Sequence, residues 1–163
     1  MILSSLLFLA SLFYTVMFAL LYIAKNMEQA PGWLANLSNK INDNIDALTL
    51  TAFYYGLAAV ALALLVALTT TPPAGYAIAM RYIGIGYTLR FVLVPFFVFV
   101  GTGLLISVLA LPHVLDKVIE RHQGLLGEKW TEKLRGLSAS VEKHEKIAGY
   151  VSAFAAVLLI CIT

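Results

Sequence analysis

The sequence predicts an all-α integral membrane protein with four transmembrane helices and two cytoplasmic amphipathic helical segments, forming a single membrane domain over residues 1–163. Three observations predict it. Of the residues, 61 % are apolar and 12 % charged, whereas soluble domains are about half apolar and a quarter charged. Residues 91–111, FVLVPFFVFVGTGLLISVLAL, contain no ionisable side chain. They supply the roughly 20 apolar residues that a helix rising about 1.5 Å per residue needs to cross about 30 Å of hydrocarbon. The third observation is the distribution of charge. Lys25, Lys40, Lys117, Arg121, Lys129, Lys133, Arg135, Lys143 and Lys146 fall in loops 25–46 and 112–146, and the 69–90 connection holds only Arg81 and Arg90. The positive-inside bias then places loops 25–46 and 112–146 in the cytoplasm and both termini outside.

Residues 2–24 form the first expected span. No Lys or Arg precedes the apolar run, which is about twice the length of a signal-peptide core, so it reads as a retained helix. Tyr22 suits the interface and Lys25 marks the cytoplasmic edge. Pro31-Gly32 interrupts the helix, because proline lacks an amide donor and clashes with the preceding turn. Over residues 33–46, Leu34, Leu37, Ile41 and Ile45 recur at three- and four-residue steps, with Asn36, Asn39, Lys40, Asn42, Asp43 and Asp46 between them. That period predicts an amphipathic helix. It has few cations to anchor it to lipid, so it is expected to pack on its own bundle.

Residues 47–68 give the second span. Ala59, Ala63 and Ala67 fall one turn apart with Gly56 before them, and small residues on one face let two backbones approach where lipid offers little hydrophobic gain. TTTPP at 69–73 is expected to end this helix. One helix running from 74 to 111 would be about 57 Å long, nearly twice the hydrocarbon thickness. Residues 74–90, with Gly84 and Gly86 as bend sites, therefore predict an interfacial amphipathic segment. In it Arg81, Arg90, Tyr82 and Tyr87 are expected to contact lipid phosphates or an anion. The third span, 91–111, has Pro95 as its expected kink and Gly101, Gly103 and Ser107 as a close-packing face.

Residues 112–146 form the polar section. Val114, Leu115, Val118 and Ile119, then Leu126, Trp130, Leu134, Leu137 and Val141, keep helical spacing around Gly124, Gly127 and Gly136. Two short amphipathic helices joined at a glycine turn are expected, with interleaved charges on a solvated face. Ser140 is the expected N-cap of the last helix, with Glu142 in its first turn. The final span, 147–163, offers only about 17 apolar residues and is expected to need local thinning or a partner. No internal repeat is visible, nor the inverted pseudo-symmetry of many transporters.

The net charge of +2 and the alternation of acids with bases argue against nucleic acid as a partner. Cys161 is the single cysteine, so no intramolecular disulfide can form. None of the four spans holds an ionisable residue, and such residues mark proton and ion paths, so a self-contained pump is disfavoured. His113 and His122 would stand about 13 Å apart along a helix, too far to share a metal. With no Walker loop, zinc motif or nucleophile elbow, neither a catalytic residue, a metal nor a cofactor is expected.

Asn26-Met27-Glu28-Gln29-Ala30-Pro31 resembles the Asn-x-Glu-x-x-Pro segment of the MAPEG proteins, four-helix trimeric membrane enzymes of glutathione and eicosanoid metabolism. The resemblance covers six residues. The family's preceding arginines and its immediately following second span are absent, and the long loop before the last helix departs from its pattern, so no residue role is carried over.

The expected function is that of a non-catalytic subunit or oligomeric building block of a membrane complex, with the lipid bilayer and further copies or other membrane subunits as partners. Gly56, Ala59, Ala63, Gly103 and Ser107 are the expected helix-packing residues. Trp33, Leu37, Ile41, Trp130, Leu134 and Leu137 are the expected partner contacts. A small channel or carrier for a solute, anion or lipid, with Arg81 and Arg90 recruiting an anion, is the alternative. A small membrane enzyme is a second.

Overall fold

The computed structural model describes residues 2–70, 94–122 and 124–162. Among them the chain is all-helical: α1 (Ile2–Lys25), α2 (Gly32–Asp43), α3 (Ile45–Thr70), α4 (Val94–Arg121), α5 (Glu128–Lys143) and α6 (Glu145–Ile162). Three stretches are long and apolar enough to cross a membrane: Leu6–Lys25, Ile45–Leu65 and Phe96–Arg121. A fourth is added if α5 and α6, which meet at 90°, are counted as one broken span. The expected interfacial segment 74–90, and with it Arg81, Tyr82, Tyr87 and Arg90, lies outside the described residues.

Two boundaries differ from the sequence expectation. Helix α4 does not stop before Pro112 but runs through it to Arg121. An internal proline forfeits one backbone hydrogen bond. Here Leu111 and Val114, on either side of it, are fully buried, and their packing holds the helix on course. Only the later part of 112–146 is therefore a separate surface helix. Ser140 is not a cap either; it lies inside α5, and the helix breaks at His144. That break matches the one at Asn44, with φ −115° and ψ 16° at Asn44 and φ −118° and ψ 32° at His144. In both, a short polar side chain reaches back to the carbonyl one turn earlier: Asn44 Nδ2 donates to the Lys40 oxygen and His144 Nδ1 lies 2.9 Å from the Ser140 oxygen. The next helix opens with an acid in its first turn, Asp46 or Glu145, where the helix dipole favours negative charge.

These matched breaks belong to a repeat that the sequence reading did not bring out. A long helix, a surface helix and a second long helix occur twice, as α1–α2–α3 and as α4–α5–α6. The packing obeys the same exchange: α1 lies mainly on α6 and α4 on α3, while α1 also meets α4 and, among the described residues, α3 and α6 do not meet. Burial follows suit. Ser11, Thr15, Phe18 and Tyr22 are buried on α1, and Ser107, Leu111, Val114 and Val118 at the matching turns of α4. Both halves run in the same sense, since the end of α1 is tied to the start of α6 (Lys25–Glu145) and the end of α4 to the start of α3 (Lys117–Asp46). The repeat is therefore parallel, with its pseudo-two-fold axis along the bundle.

The core sits where the four long helices converge toward this charged end, around Phe18, Tyr22, Ile106, Leu109, Leu111 and Val114. The α3–α4 seam is the tightest. A Cβ on Gly56 would overlap Ser107 Oγ and the Gly103 oxygen, and one on Gly103 would stand 2.9 Å from the Gly56 oxygen. Only glycine permits that approach.

Candidate functional site

The charged end brings together side chains from every long helix. Tyr22 comes from α1, buried beneath the turn that follows it. Its ring lies 6.1 Å from that of Phe18 and 6.4 Å from the imidazole of His113. Its hydroxyl donates to the Leu109 oxygen of α4 at 2.9 Å. Tyr22 is thus the pin between the two halves. Around it stand the two ion pairs, Lys25 Nζ to Glu145 Oε1 at 2.5 Å and Lys117 Nζ to Asp46 Oδ2 at 2.7 Å. Each joins one half to the other. The side chains of Lys25, Lys117 and Asp46 are largely exposed and Glu145 is more covered, so the electrostatic contribution is screened.

His113, half-buried on α4, stands within reach of the charges of Lys25, Glu142, Glu145 and Asp46. Its Nε2 is buried and finds no hydrogen-bond partner among the described residues. His122 Nε2 lies 2.9 Å from the Tyr54 hydroxyl, with the rings edge to face. Among the described residues no group of His, Cys, Asp and Glu is arranged to hold a metal ion. His122 is hydrogen-bonded to the Tyr54 hydroxyl and His144 to the Ser140 backbone carbonyl. The hydroxyl of Tyr22 and the two ion pairs tie helix ends of the two halves together.

The expected packing residues Gly56, Ala59, Gly103 and Ser107 meet at the α3–α4 seam, where Ser107 Oγ donates to the Phe53 oxygen at 3.1 Å. Ala63, farther along α3, is half-buried. On the α1–α6 seam the corresponding tie is Ser152 Oγ to the Thr15 oxygen at 2.5 Å. The expected partner contacts divide. Ile41 and Leu134 turn inward and pack on the core, whereas Trp33, Leu37, Trp130 and Leu137 are exposed. Lys133 Nζ lies 4.9 Å from the centre of the Trp130 ring, a cation–π contact. Residues 26–31 form the turn between α1 and α2, in which Asn26 Nδ2 donates to the Tyr22 oxygen at 2.8 Å; that bond shapes the turn.

Sequence reasoning missed the pin and the repeat. The signal for the repeat was present: Leu34, Leu37, Ser38 and Ile41 on α2 recur as Leu134, Leu137, Ser138 and Val141 on α5. The signal for Tyr22 was not, because an interfacial tyrosine and a buried one look alike in a chain. Compared with protein-family models, curated proteins and solved structures, the chain matches none of them.

Proposed function

We propose that this chain is a four-span integral membrane protein that acts as a non-catalytic subunit or oligomeric building block of a membrane complex. In this reading α1, α3, α4 and α6 cross the bilayer, α2 and α5 lie on its cytoplasmic side, and both termini face outward, in keeping with the positive-inside bias. The observation that carries it is the pair of surface helices at one end of the bundle. Each presents a large apolar pair: Trp33 at 67 % exposure with Leu37, which also borders an apolar cleft against α1, and Trp130 at 61 % with Leu137. Exposed aromatic anchors of this kind, repeated in both halves, suit contact with a partner surface.

Cross-linking and native mass spectrometry on protein extracted in mild detergent test the reading. Recovery with further copies or other chains, weakened by Trp33→Ala with Trp130→Ala, is the expected result. A monomer that brings no partner under any extraction condition overturns it. Carriage of a small solute, anion or lipid is the second reading, favoured by an apolar cleft in the first half. Flux in vesicles containing the purified protein alone, impaired by Arg81→Ala and Arg90→Ala without loss of expression, would select it.

A further inference from the structure

The three histidines are not held alike. His122 and His144 each have a hydrogen-bond partner, whereas Nε2 of His113 is buried and has none among the described residues. His113 stands one turn beyond Leu109, whose carbonyl accepts from the Tyr22 hydroxyl, and its ring lies 6.4 Å from that of Tyr22. It is therefore next to the pin between the halves. Each helix packed on α4 contributes a charge near it: Lys25 of α1, Asp46 of α3, Glu142 of α5 and Glu145 of α6. On α4 itself Asp116 and Lys117 follow one turn later. Two of the three neighbouring carboxylates are already engaged, Glu145 by Lys25 and Asp46 by Lys117.

We infer that His113 is a proton-operated latch on the junction between the halves: when protonated it takes Glu145 from Lys25 and loosens α1 from α6. An imidazolium carries an N–H on both ring nitrogens. At Nε2 that N–H would meet neither water nor an acceptor in the closed junction, and burying an unpartnered charged group is costly. A proton taken from solvent is therefore accommodated only in an arrangement that brings a carboxylate to Nε2. Glu145 is the suitable one. Its side chain is 20 % exposed where that of Asp46 is 72 % exposed, so it already lies toward the covered side. The consequences differ as well. Asp46 is held by Lys117 of α4, the helix that carries His113, so its transfer from one to the other would leave α3 tied to α4. Glu145 and His113 both belong to the second half, so their pairing gives up a tie to α1. Imidazole ordinarily titrates near pH 6.5, so the latch works in the mildly acidic range. Acid opens it, because the closed junction binds fewer protons than the loosened one.

The test is a distance measurement between paired spin labels on the full chain in phosphatidylcholine nanodiscs, with Cys161→Ser as background. Labels at Met27→Cys and Lys146→Cys, exposed positions beside the Lys25–Glu145 pair, should report a longer distance at pH about 5.5 than at pH about 7.5. Labels at Asp43→Cys and Glu120→Cys, near the Lys117–Asp46 pair, should report the same distance at both. His113→Gln and, independently, His113→Leu should abolish the change, while His122→Gln combined with His144→Gln should retain it. In that last variant His113 is the sole histidine, and its imidazole nitrogen resonances should register proton uptake over the same pH interval as the distance change. An unchanged distance, a change that survives both His113 substitutions in monodisperse protein, or an imidazole that stays neutral while the junction opens would each overturn the latch. Lengthening of both label pairs together would also overturn it, as general unfolding in acid.

Discussion

The two halves of this protein share an element order, a pair of matched helix breaks and a burial pattern, and yet they are not packed alike. The second carries the 16 residues of α5, with Leu126 just before it packed against the core. The first, with 12 residues in α2, keeps a cleft beside Phe13 and Val16. Their seams differ as well. On α3–α4 a Cβ on Gly56 would overlap Ser107 Oγ and the Gly103 oxygen, whereas on α1–α6 a Cβ on Gly149 would meet Ile23 Cγ1 and Tyr22 Cβ at 3.1 Å and the Ile23 backbone nitrogen at 3.2 Å, a looser approach. A repeated backbone layout therefore fixes which helices touch, while side-chain volume decides how closely.

That comparison is broken most severely at the centre. Tyr22→Ala removes a buried ring and the hydrogen bond to the Leu109 oxygen and should cost about 3 kcal/mol of unfolding free energy. Val118→Ala, at the matching turn of α4, should cost about half as much, because less volume is lost. Reversible unfolding in mixed micelles measures both, and equal losses would mean that Tyr22 has no special role in joining the halves. The seams come next. Gly56→Ala drives a methyl group into Ser107 and the Gly103 backbone and should cost about 1–3 kcal/mol. Gly149→Ala should cost less, since its nearest contacts stand at 3.1–3.2 Å and so ask for shifts of only a few tenths of an ångström. The reverse order would remove the distinction between the seams.

Smaller effects sharpen the picture. Ser107→Ala and Ser152→Ala each delete one hydrogen bond to a carbonyl of the adjoining helix, and about 0.6 kcal/mol apiece is expected for such bonds between helices in lipid. The ion pairs should matter least. Lys25→Ala should lower the unfolding midpoint slightly, because the side chain of Glu145 is only 20 % exposed, and added salt should reduce that difference without abolishing it, since a partly covered pair is screened less. Lys117→Ala should leave the midpoint unchanged, since both partners in that pair are open to solvent. A larger loss from Lys117→Ala would show that the Asp46 pair, not burial, sets the alignment of the halves.

Helix positions were readable because apolar runs and Pro31-Gly32 act locally. The sites of the breaks were not. Asn44 and His144 look like ordinary polar residues on amphipathic helices, and Pro112 looks like a stop. Whether a helix ends there depends on what its flanking residues bury, as Leu111 and Val114 do. Gly56, Ala59, Gly103 and Ser107 stood out as small residues in apolar helices, but nothing in the chain says that Gly56 faces Gly103. That pairing requires two segments with no contact in sequence to find one crossing point.

By itself the sequence determined the class of this protein: all-helical, with several helices apolar and long enough to cross a membrane, separated by charged amphipathic segments. These properties follow from hydrogen-bond geometry and side-chain period, which are local. Only the tertiary structure decided that α1 pairs with α6 and α3 with α4, and that Tyr22 pins the halves. Those outcomes depend on volumes meeting across the bundle, between segments far apart in the chain.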